Sequence, residues 1–364
     1  MIEKRNRLFW LHDLSDSKTR PASFSETTDT KGDFPMTIKE NFLATIRGEN
    51  PERFVNQYEY MHLIFDPVMW AITGMPFTMK PGDCVVNGWG VTVNFREDCP
   101  GPMPVHNDEL TVLQDITEWK DVVKAPEVVL GDEAWADAVK EAESVDRDEY
   151  LVGCFTAPGI FEKIHYLMGM EEAFIAFYEE PEALKELIDF MADWEIKLAA
   201  EQIKYLKPDV VFHHDDWGSQ ISSFLSPEMF DEFLTPAYKR VYGFYKENGL
   251  LVVHHSDSYG ANLVPSMIEM GIDVWQGCLS TNKLPELIKQ YGGQISFQGG
   301  IDSTVVDHVN WSKEQIREVV EKTCRENGTK YFIPSNTMGG PGSIYPGVFE
   351  TITDEINRMS TIMY

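Results

Sequence analysis

The fold is decided by a stretch in the second half of the chain, "LLVVHHSDSYG" at residues 250–260. Its apolar run is typical of a buried strand, and it ends in two histidines, a serine and an aspartate at 254–257. Segments with helical periodicity lie on both sides, at 226–249 and 260–270. A buried strand between two helices predicts a βαβ unit with parallel pairing.

The same alternation extends outward from this stretch over the whole chain after residue 150. The predicted strands are 150–158, 209–218, 250–257, 273–278, 294–302 and 330–336, with 53–60 as a seventh. The predicted helices are 160–180, 181–206, 226–249, 260–270, 284–292, 312–328 and 346–358. Residues 84–95 alternate like an antiparallel hairpin. We therefore predict an α/β fold, a (β/α)8 TIM barrel with an elaborated N-terminal half. An open doubly wound sheet is the alternative, although no glycine-rich nucleotide loop supports it.

The N-terminal segment differs in composition from the rest of the chain. Residues 11–35 are rich in Ser, Thr, Asp and Lys, which is typical of a flexible tail. Thr37 then precedes a helical pattern, with Glu40 three residues later as in a capping box. We predict a flexible extension over 1–35 and one barrel domain over 36–364.

Composition excludes several classes of partner. The 364 residues include 59 acidic and 31 basic ones, giving a net charge of −28, and phosphate-rich partners would be repelled. We therefore expect neither nucleic acid nor an anionic membrane as a partner. Five scattered cysteines without a CxxC pair indicate a reducing compartment, and no apolar stretch approaches the roughly 20 residues of a membrane span. These features predict a cytoplasmic protein.

Polar residues cluster where the predicted strands end, which is where βα loops build the active site of a barrel. Strand periodicity places His214 with Asp216 on one face, and His255 with Asp257 on one face of the next strand. Two imidazoles and two carboxylates are ligands for zinc or a similar ion. They equally serve as general acid and base, or as hydrogen-bonded neighbours without a role in chemistry.

Several segments of the chain resemble the uroporphyrinogen decarboxylase superfamily, whose fold is a (β/α)8 barrel. The resemblance covers about residues 37–360, in order. It is carried by "FLATIRGENPERF" (42–54), "NGWGVTV" (87–93), "GIFEKIHYLMGMEEAF" (159–174), "DDWGSQISSFLSPEMFDEFLTPAYKRV" (215–241), "HSDSYGANLVPSMIEMGIDVWQ" (255–276) and "GGIDS" (299–303).

The superfamily has two main chemistries, and the resemblance favours one of them. Uroporphyrinogen decarboxylases have an Arg-Gln-Ala-Gly-Arg-Tyr segment whose arginines face the substrate carboxylates, whereas this chain has Asn-Gln-Tyr-Glu-Tyr at 56–60. An acidic residue there does not suit a polyanionic substrate. The other branch transfers methyl groups to or from the cobalt of a corrinoid protein, usually with zinc. Its coenzyme M enzymes have His-x-Cys and a later cysteine, whereas this chain has His-Ser-Asp at 255–257 and no cysteine near Ser335 or Asn336.

The resemblance therefore implies a methyltransferase that moves a methyl group from a small donor, such as a methoxylated aromatic, to Co(I) of a partner corrinoid protein. His255, Asp257 and Asp216 are the expected catalytic residues. His255, Asp257 and His214 are the expected zinc ligands. The residues expected at the substrate are Tyr58, Tyr60, Trp217 and Asn336.

Three questions stay open from the sequence. A lyase acting on another carboxylated substrate and a non-catalytic ligand-binding barrel are the alternative functions. The oligomeric state is also open, and a homodimer is one of the possibilities. Each aromatic residue considered as a substrate contact is also an acceptable core residue.

Overall fold

The computed structural model describes residues 35–72, 79–96, 102–340 and 343–364. The predicted flexible extension at 1–35 lies outside these residues except for its last position. No helix within the described ranges is long and apolar enough to cross a membrane.

The described strands form two sheets. Seven strands make a parallel sheet in the order β1-β5-β6-β7-β8-β9-β10, and β2-β3-β4 make a small antiparallel sheet. The bounds are β1 Met61–Ile64, β2 Cys84–Val86, β3 Thr92–Asn94, β4 Met103–Pro104, β5 Leu151–Thr156, β6 Val210–His214, β7 Leu251–His255, β8 Val274–Cys278, β9 Ser296–Ile301 and β10 Phe332–Asn336. The α/β architecture and the hairpin at 84–95 are confirmed.

Helices follow the strands of the large sheet and cover its outer face. Their bounds are α1 Ile38–Arg47, α2 Pro67–Ile72, α3 Trp119–Val122, α4 Asp132–Ser144, α5 Ile160–Met168, α6 Met170–Glu179, α7 Pro181–Leu206, α8 Pro227–Phe233, α9 Thr235–Glu247, α10 Val264–Met270, α11 Leu284–Tyr291, α12 Ser303–Val306, α13 Lys313–Asn327 and α14 Val348–Met363.

Local signals in the sequence account for most of these helix boundaries. Thr37 and Glu40 form the predicted capping box at the start of α1. Ser226 caps α8, and Pro227 occupies its first position. The segment 226–249 is two helices rather than the predicted one, because Pro236 has no N–H to continue the hydrogen bonding of α8.

The prediction of a strand at 53–60 is wrong. The edge strand β1 begins only at Met61, and the residues before it run as turns along the far edge of the sheet. There the Gln57 N–H donates to the Pro334 carbonyl over 3.3 Å, and the Tyr60 hydroxyl donates to Gln298 over 2.9 Å. Segment 53–60 therefore bridges the two ends of a curled, seven-stranded sheet.

The curled sheet has an apolar core on each side. Inside it, Leu63, Val210, Val253 and Val274 are buried from neighbouring strands, together with Ile333. Outside it, the helices pack a larger apolar layer against the sheet. Successive strand residues point alternately into these two layers.

One ion network is buried in the outer layer. Lys163 on α5 pairs with Glu195 on α7, and the other oxygen of Glu195 lies 2.9 Å from Nε2 of His213 on β6. The Lys163 ammonium also lies 5.1 Å from the ring centre of Trp194. Burial raises the pKa of Glu195, but Lys163 and His213 lower it more, to about 2. The network joins two helices to the sheet at the cost of desolvating its charges.

Glu195→Gln should destabilise the fold strongly, because it leaves the buried Lys163 ammonium without a counter-charge. We expect the free energy of unfolding in urea to fall by about 3–5 kcal/mol. Asp193→Asn is the control: its side chain is 57% exposed and pairs with Arg240 on the surface, so the loss should stay below about 1 kcal/mol. Equal urea midpoints for the two variants would show that the buried contact of Glu195 with Lys163 and His213 does not stabilise the fold.

The same network predicts the acid sensitivity of the protein. The pKa of Glu195 is about 2 in the folded state and 4.5 ordinarily, so its contribution is complete above pH 4.5 and is lost as pH falls toward 2. When unfolding is followed by circular dichroism, the free energy of unfolding of Glu195→Gln should depend less on pH between 4.5 and 2 than that of the wild type. If the variant keeps the pH dependence of the wild type, other carboxyl groups cause the loss of stability in acid.

Candidate functional site

The site is built on the parallel register of β6 and β7. His214 pairs with His255 and His213 with His254, so each strand presents one histidine to the interior and one to the helices. The interior pair stacks with ring centres 4.4 Å apart and an interplanar angle of 25°. Both interior histidines lie at the carboxyl ends of their strands, as the sequence predicts.

The outward pair belongs to the core. Nε2 of His213 bonds to Glu195, and Nδ1 of His254 lies 2.8 Å from the hydroxyl of Tyr242. The indole of Trp217 stacks on His254 with ring centres 3.8 Å apart and is 2% exposed. The Trp217 side chain thus lies on the helix side of the sheet, away from the interior pair, and its contact with a substrate stays a prediction.

Three interior side chains could hold a metal ion. His214, Asp216 and His255 each offer a donor atom, and these atoms all lie within 4.8 Å of one another. The sequence predicts Asp257 as the carboxylate ligand, but in the structure Asp216 provides the third donor. The two aspartates remain neighbours, since the Asp257 N–H donates to Oδ1 of Asp216 over 3.0 Å.

Each interior imidazole is held through its Nδ1 atom. His214 Nδ1 lies 3.0 Å from Oε2 of Glu162, at the first turn of α5. His255 Nδ1 bonds to Oε1 of Gln276 on β8, and the Gln276 amide donates to the Tyr58 hydroxyl over 2.8 Å. Metal-binding histidines are oriented in this way by a carboxylate or an oxygen acceptor on the second ring nitrogen. Nε2 of both rings is left for a ligand, so the donor set fits zinc.

Burial and charge perturb the ionisation of this cluster. Burial raises the pKa of Glu162 to about 7, against the opposing effect of His214. Burial lowers the pKa of His214, but the Glu162 carboxylate and the nearby aspartates raise it to about 10. An imidazolium paired with a carboxylate is therefore the expected metal-free state. A metal ion binding at Nε2 must displace a proton from His214.

Asp257 and His255 are both shifted toward their neutral forms. Burial and the neighbouring Asp216 raise the pKa of Asp257 to about 8. Burial and the charge of His214 lower the pKa of His255 to about 4. Near neutral pH the cluster therefore combines a neutral imidazole, an imidazolium and a protonated carboxyl group. Both a proton donor and a ligand nitrogen are then available.

The other predicted substrate residues lie in different surroundings. Tyr58 is buried, and its hydroxyl accepts a hydrogen bond from Gln276, the residue that also bonds to His255. Asn336 is buried and donates to the carbonyls of Met338 and Gly339, so it shapes the loop after β10. Tyr60 is fully buried and stacks on Phe42 at 3.9 Å. Tyr60 precedes β1, its hydroxyl donates to Gln298 on β9, and its contact with a substrate stays a prediction.

Sequence reasoning missed Glu162, Gln276 and an aromatic floor. Phe65 follows β1, and Phe155 and Phe212 lie in the neighbouring β5 and β6. The ring centres of Phe65 and Phe155 are 4.9 Å apart, and those of Phe155 and Phe212 are 6.0 Å apart. Phe155 and Phe65 are only partly buried although they face the interior. Strand alternation was the available signal for these rings, since Phe212 lies two residues before His214; Glu162 had none beyond its place in a first helical turn.

The family model of uroporphyrinogen decarboxylase (URO-D) matches residues 83–358. The chain belongs to this family. The match includes β5 to β10, and therefore both histidine pairs and Glu162. No curated protein matches the sequence.

Solved structures share the fold at low sequence identity. A methyltransferase from Methanosarcina mazei has a TM-score of 0.59 and 14% identity, over 89% of this chain and 99% of that one. A sugar phosphate isomerase/epimerase from Parabacteroides distasonis has a TM-score of 0.36 and 11% identity, over 63% and 83%. A D-psicose 3-epimerase from Clostridium cellulolyticum has a TM-score of 0.35 and 10% identity, over 62% and 83%. Of these three, the methyltransferase from Methanosarcina mazei is the one whose TM-score shows a shared fold.

Glu162→Gln should lower the pKa of His214, because the nearest stabilising charge is removed while burial remains. In the metal-free protein we expect it to fall from about 10 toward the ordinary 6.5. An NMR titration of the His214 ring protons measures this directly. The control is Glu141→Gln, which removes a carboxylate 3.0 Å from His62 instead. A His214 that stays charged in Glu162→Gln would contradict the pairing.

Proposed function

We propose that this protein is a methyltransferase that moves a methyl group from a small donor, a methoxylated aromatic or similar, to Co(I) of a partner corrinoid protein. The observation that carries the proposal is the pair of stacked imidazoles, each held at Nδ1, beside the carboxylate of Asp216. Membership of the URO-D family supports it, and so does the overlap with the methyltransferase fold. We also propose that segment 53–60 takes the eighth place of a (β/α)8-type barrel.

The proposed metal is zinc, held by His214, Asp216 and His255. When bound, it would act as a Lewis acid on the ether oxygen of the donor. All three ligands are nitrogen or oxygen donors, and the cluster has more carboxyl groups than bases. Such a site suits a cation and an oxygen leaving group better than a thiol.

The chain supplies the proton that methyl transfer from an ether requires. The carbon–oxygen bond breaks with its electron pair left on oxygen, while the acceptor provides the pair for the new bond to the methyl group. The phenolate oxygen then needs a positive charge or a proton. The carboxyl of Asp257, whose pKa is raised by burial and by the neighbouring Asp216 in the metal-free protein, is the proposed donor.

The aromatic floor supports an aromatic methyl donor. Phe155 and Phe65 are partly exposed toward the interior, and Phe212 lies 6.0 Å from the ring centre of His255. A planar ring stacked on this floor would lie directly below the imidazole pair. Its methoxy substituent would then reach the donor atoms of the cluster.

A second candidate is a lyase that acts on a carboxylated substrate. The observation in its favour is the imidazolium of His214, which could bind a carboxylate and protonate the carbon after loss of carbon dioxide. Three carboxyl groups around one imidazolium oppose an anionic substrate, so we favour methyl transfer.

Methyl transfer is tested by mixing the protein with a Co(I) corrinoid protein and a panel of methoxylated aromatics and methylamines. We expect the absorption of the methylated corrinoid with one aromatic donor, and about one zinc per chain by elemental analysis. His255→Ala should keep the circular dichroism spectrum of the wild type while losing zinc and at least about 100-fold in rate.

The matched control is His62→Ala, since His62 is a partly buried histidine paired with Glu141 outside the cluster. It should keep both zinc and rate. Full activity in His255→Ala would show that His255 is not part of the active site. Release of carbon dioxide from a carboxylated compound without any corrinoid would favour the lyase, and a ligand recovered unchanged would favour a binding protein.

Phe155→Leu tests the aromatic floor. It keeps an apolar side chain but removes the stacking surface, so KM for the aromatic donor should rise about three- to tenfold with a smaller change in kcat. The control is Phe190→Leu, which changes a ring packed on Trp119 in the outer layer. Steady-state kinetics that shift equally in both variants would show that the floor does not contact the donor.

A further inference from the structure

Asp215 lies between two residues of the donor set, yet its side chain points away from them. It is fully buried on the helix side of the sheet. Its Oδ2 accepts hydrogen bonds from the Trp217 indole over 2.8 Å and from the Tyr238 hydroxyl. A buried carboxylate of this kind is retained only when its hydrogen bonds compensate the cost of desolvation.

The main contacts of Asp215 are with the start of α5. The N–H of Phe161 donates to Oδ2 over 3.0 Å, and the N–H of Glu162 donates to Oδ1 over 2.8 Å. The preceding N–H, of Ile160, donates to the Tyr238 hydroxyl over 2.8 Å. The first turn of a helix needs such acceptors, and they usually come from the residue that precedes the helix.

Here that residue is Gly159, which has no side chain to cap α5. A methyl group at this position would overlap the side chain of Asp215. The glycine thus makes room for a carboxylate that approaches from the end of β6. The positive end of the α5 dipole further stabilises its charge.

This capping interaction determines where Glu162 lies. The backbone of Glu162 is bound by Asp215, and its side chain bonds to His214, the residue immediately before Asp215. The residue after it, Asp216, offers the carboxylate of the donor set. Three consecutive residues at the end of β6 thus provide a ligand, the cap of α5 and a second ligand.

We infer that Asp215 is a positioning residue, which caps α5 in place of a local N-cap and so fixes Glu162 against the imidazole of His214. The inference rests on the proposed function only in that the fixed donor set binds a metal ion. Without the cap, the first turn of α5 would move and Glu162 would release Nδ1 of His214. The ring would then be free to turn, and metal affinity would fall.

The test is Asp215→Asn, which keeps the shape of the side chain but directs an NH2 group at backbone or side-chain donors. We expect the dissociation constant for Co2+, measured by the visible absorption of the bound ion, to rise about 10–100-fold. In the metal-free crystal structure, the separation of His214 Nδ1 and Glu162 Oε2 should lengthen from 3.0 Å beyond hydrogen-bonding distance. Gly159→Ala should reproduce both effects without changing any polar group.

Asp66→Asn is the matched control. Asp66 is also fully buried, accepts the N–H groups of Val68 and Met69 at the start of α2, and bonds to one side chain, Gln202. It caps a helix that carries none of the cluster residues. We expect a similar loss of thermal stability from this variant but an unchanged Co2+ dissociation constant and an unchanged His214–Glu162 contact.

The outcomes separate this inference from the proposed function. An intact His214–Glu162 contact in metal-free Asp215→Asn would overturn the positioning role, whatever reaction the protein catalyses. Equal weakening of Co2+ binding in Asp66→Asn would also overturn it, because a general loss of stability would then explain the effect. If the wild type binds Co2+ as expected but transfers no methyl group, the proposed function fails while the role of Asp215 stands.

Discussion

The site depends on the hydrogen-bonded register between β6 and β7. This register sets His214 opposite His255 with ring centres 4.4 Å apart, and it sets His213 opposite His254 in the outer layer. A slip of one residue would exchange the two layers, because successive side chains of a strand point to opposite faces. It would place core histidines in the interior and break the contacts with Glu162 and Gln276. The backbone pairing of two five-residue strands thus fixes which histidines face the interior and which face the helices.

The two sides of β6 differ in their balance of charge. In the outer layer, Glu195 meets both Lys163 and His213, and its pKa is lowered to about 2. In the interior, three carboxyl groups surround one imidazolium, and the pKa values of Glu162 and Asp257 are raised to about 7 and 8. The first arrangement stabilises the fold, whereas the second has more carboxyl groups than positive charges. A bound cation would supply further positive charge, which is the physical reason for proposing a metal in the interior.

The fold could largely be read from the sequence, because alternating apolar runs and helical periodicities are local patterns. The prediction failed at 53–60, where aromatic and β-branched residues gave a strand pattern but the chain forms turns across the sheet ends. At the site, strand alternation placed His214 with Asp216 on one face and His255 with Asp257 on one face of the next strand, and the structure brings His214, Asp216 and His255 together. It could not place Glu162 or Gln276, because contacts between a helix turn and a neighbouring strand have no local pattern.

The sequence by itself determined the order of strands and helices, the ends at which polar residues gather, and the family resemblance. Only the tertiary structure decided which carboxylate joins the two histidines, since Asp216 and Asp257 have equivalent places on neighbouring strands. It also decided that Trp217 packs on His254 and that Asp215 caps α5 from a distance in sequence. The physical reason is that strand periodicity specifies a direction for each side chain. Distances between side chains arise only when the sheet curls and the helices pack against it.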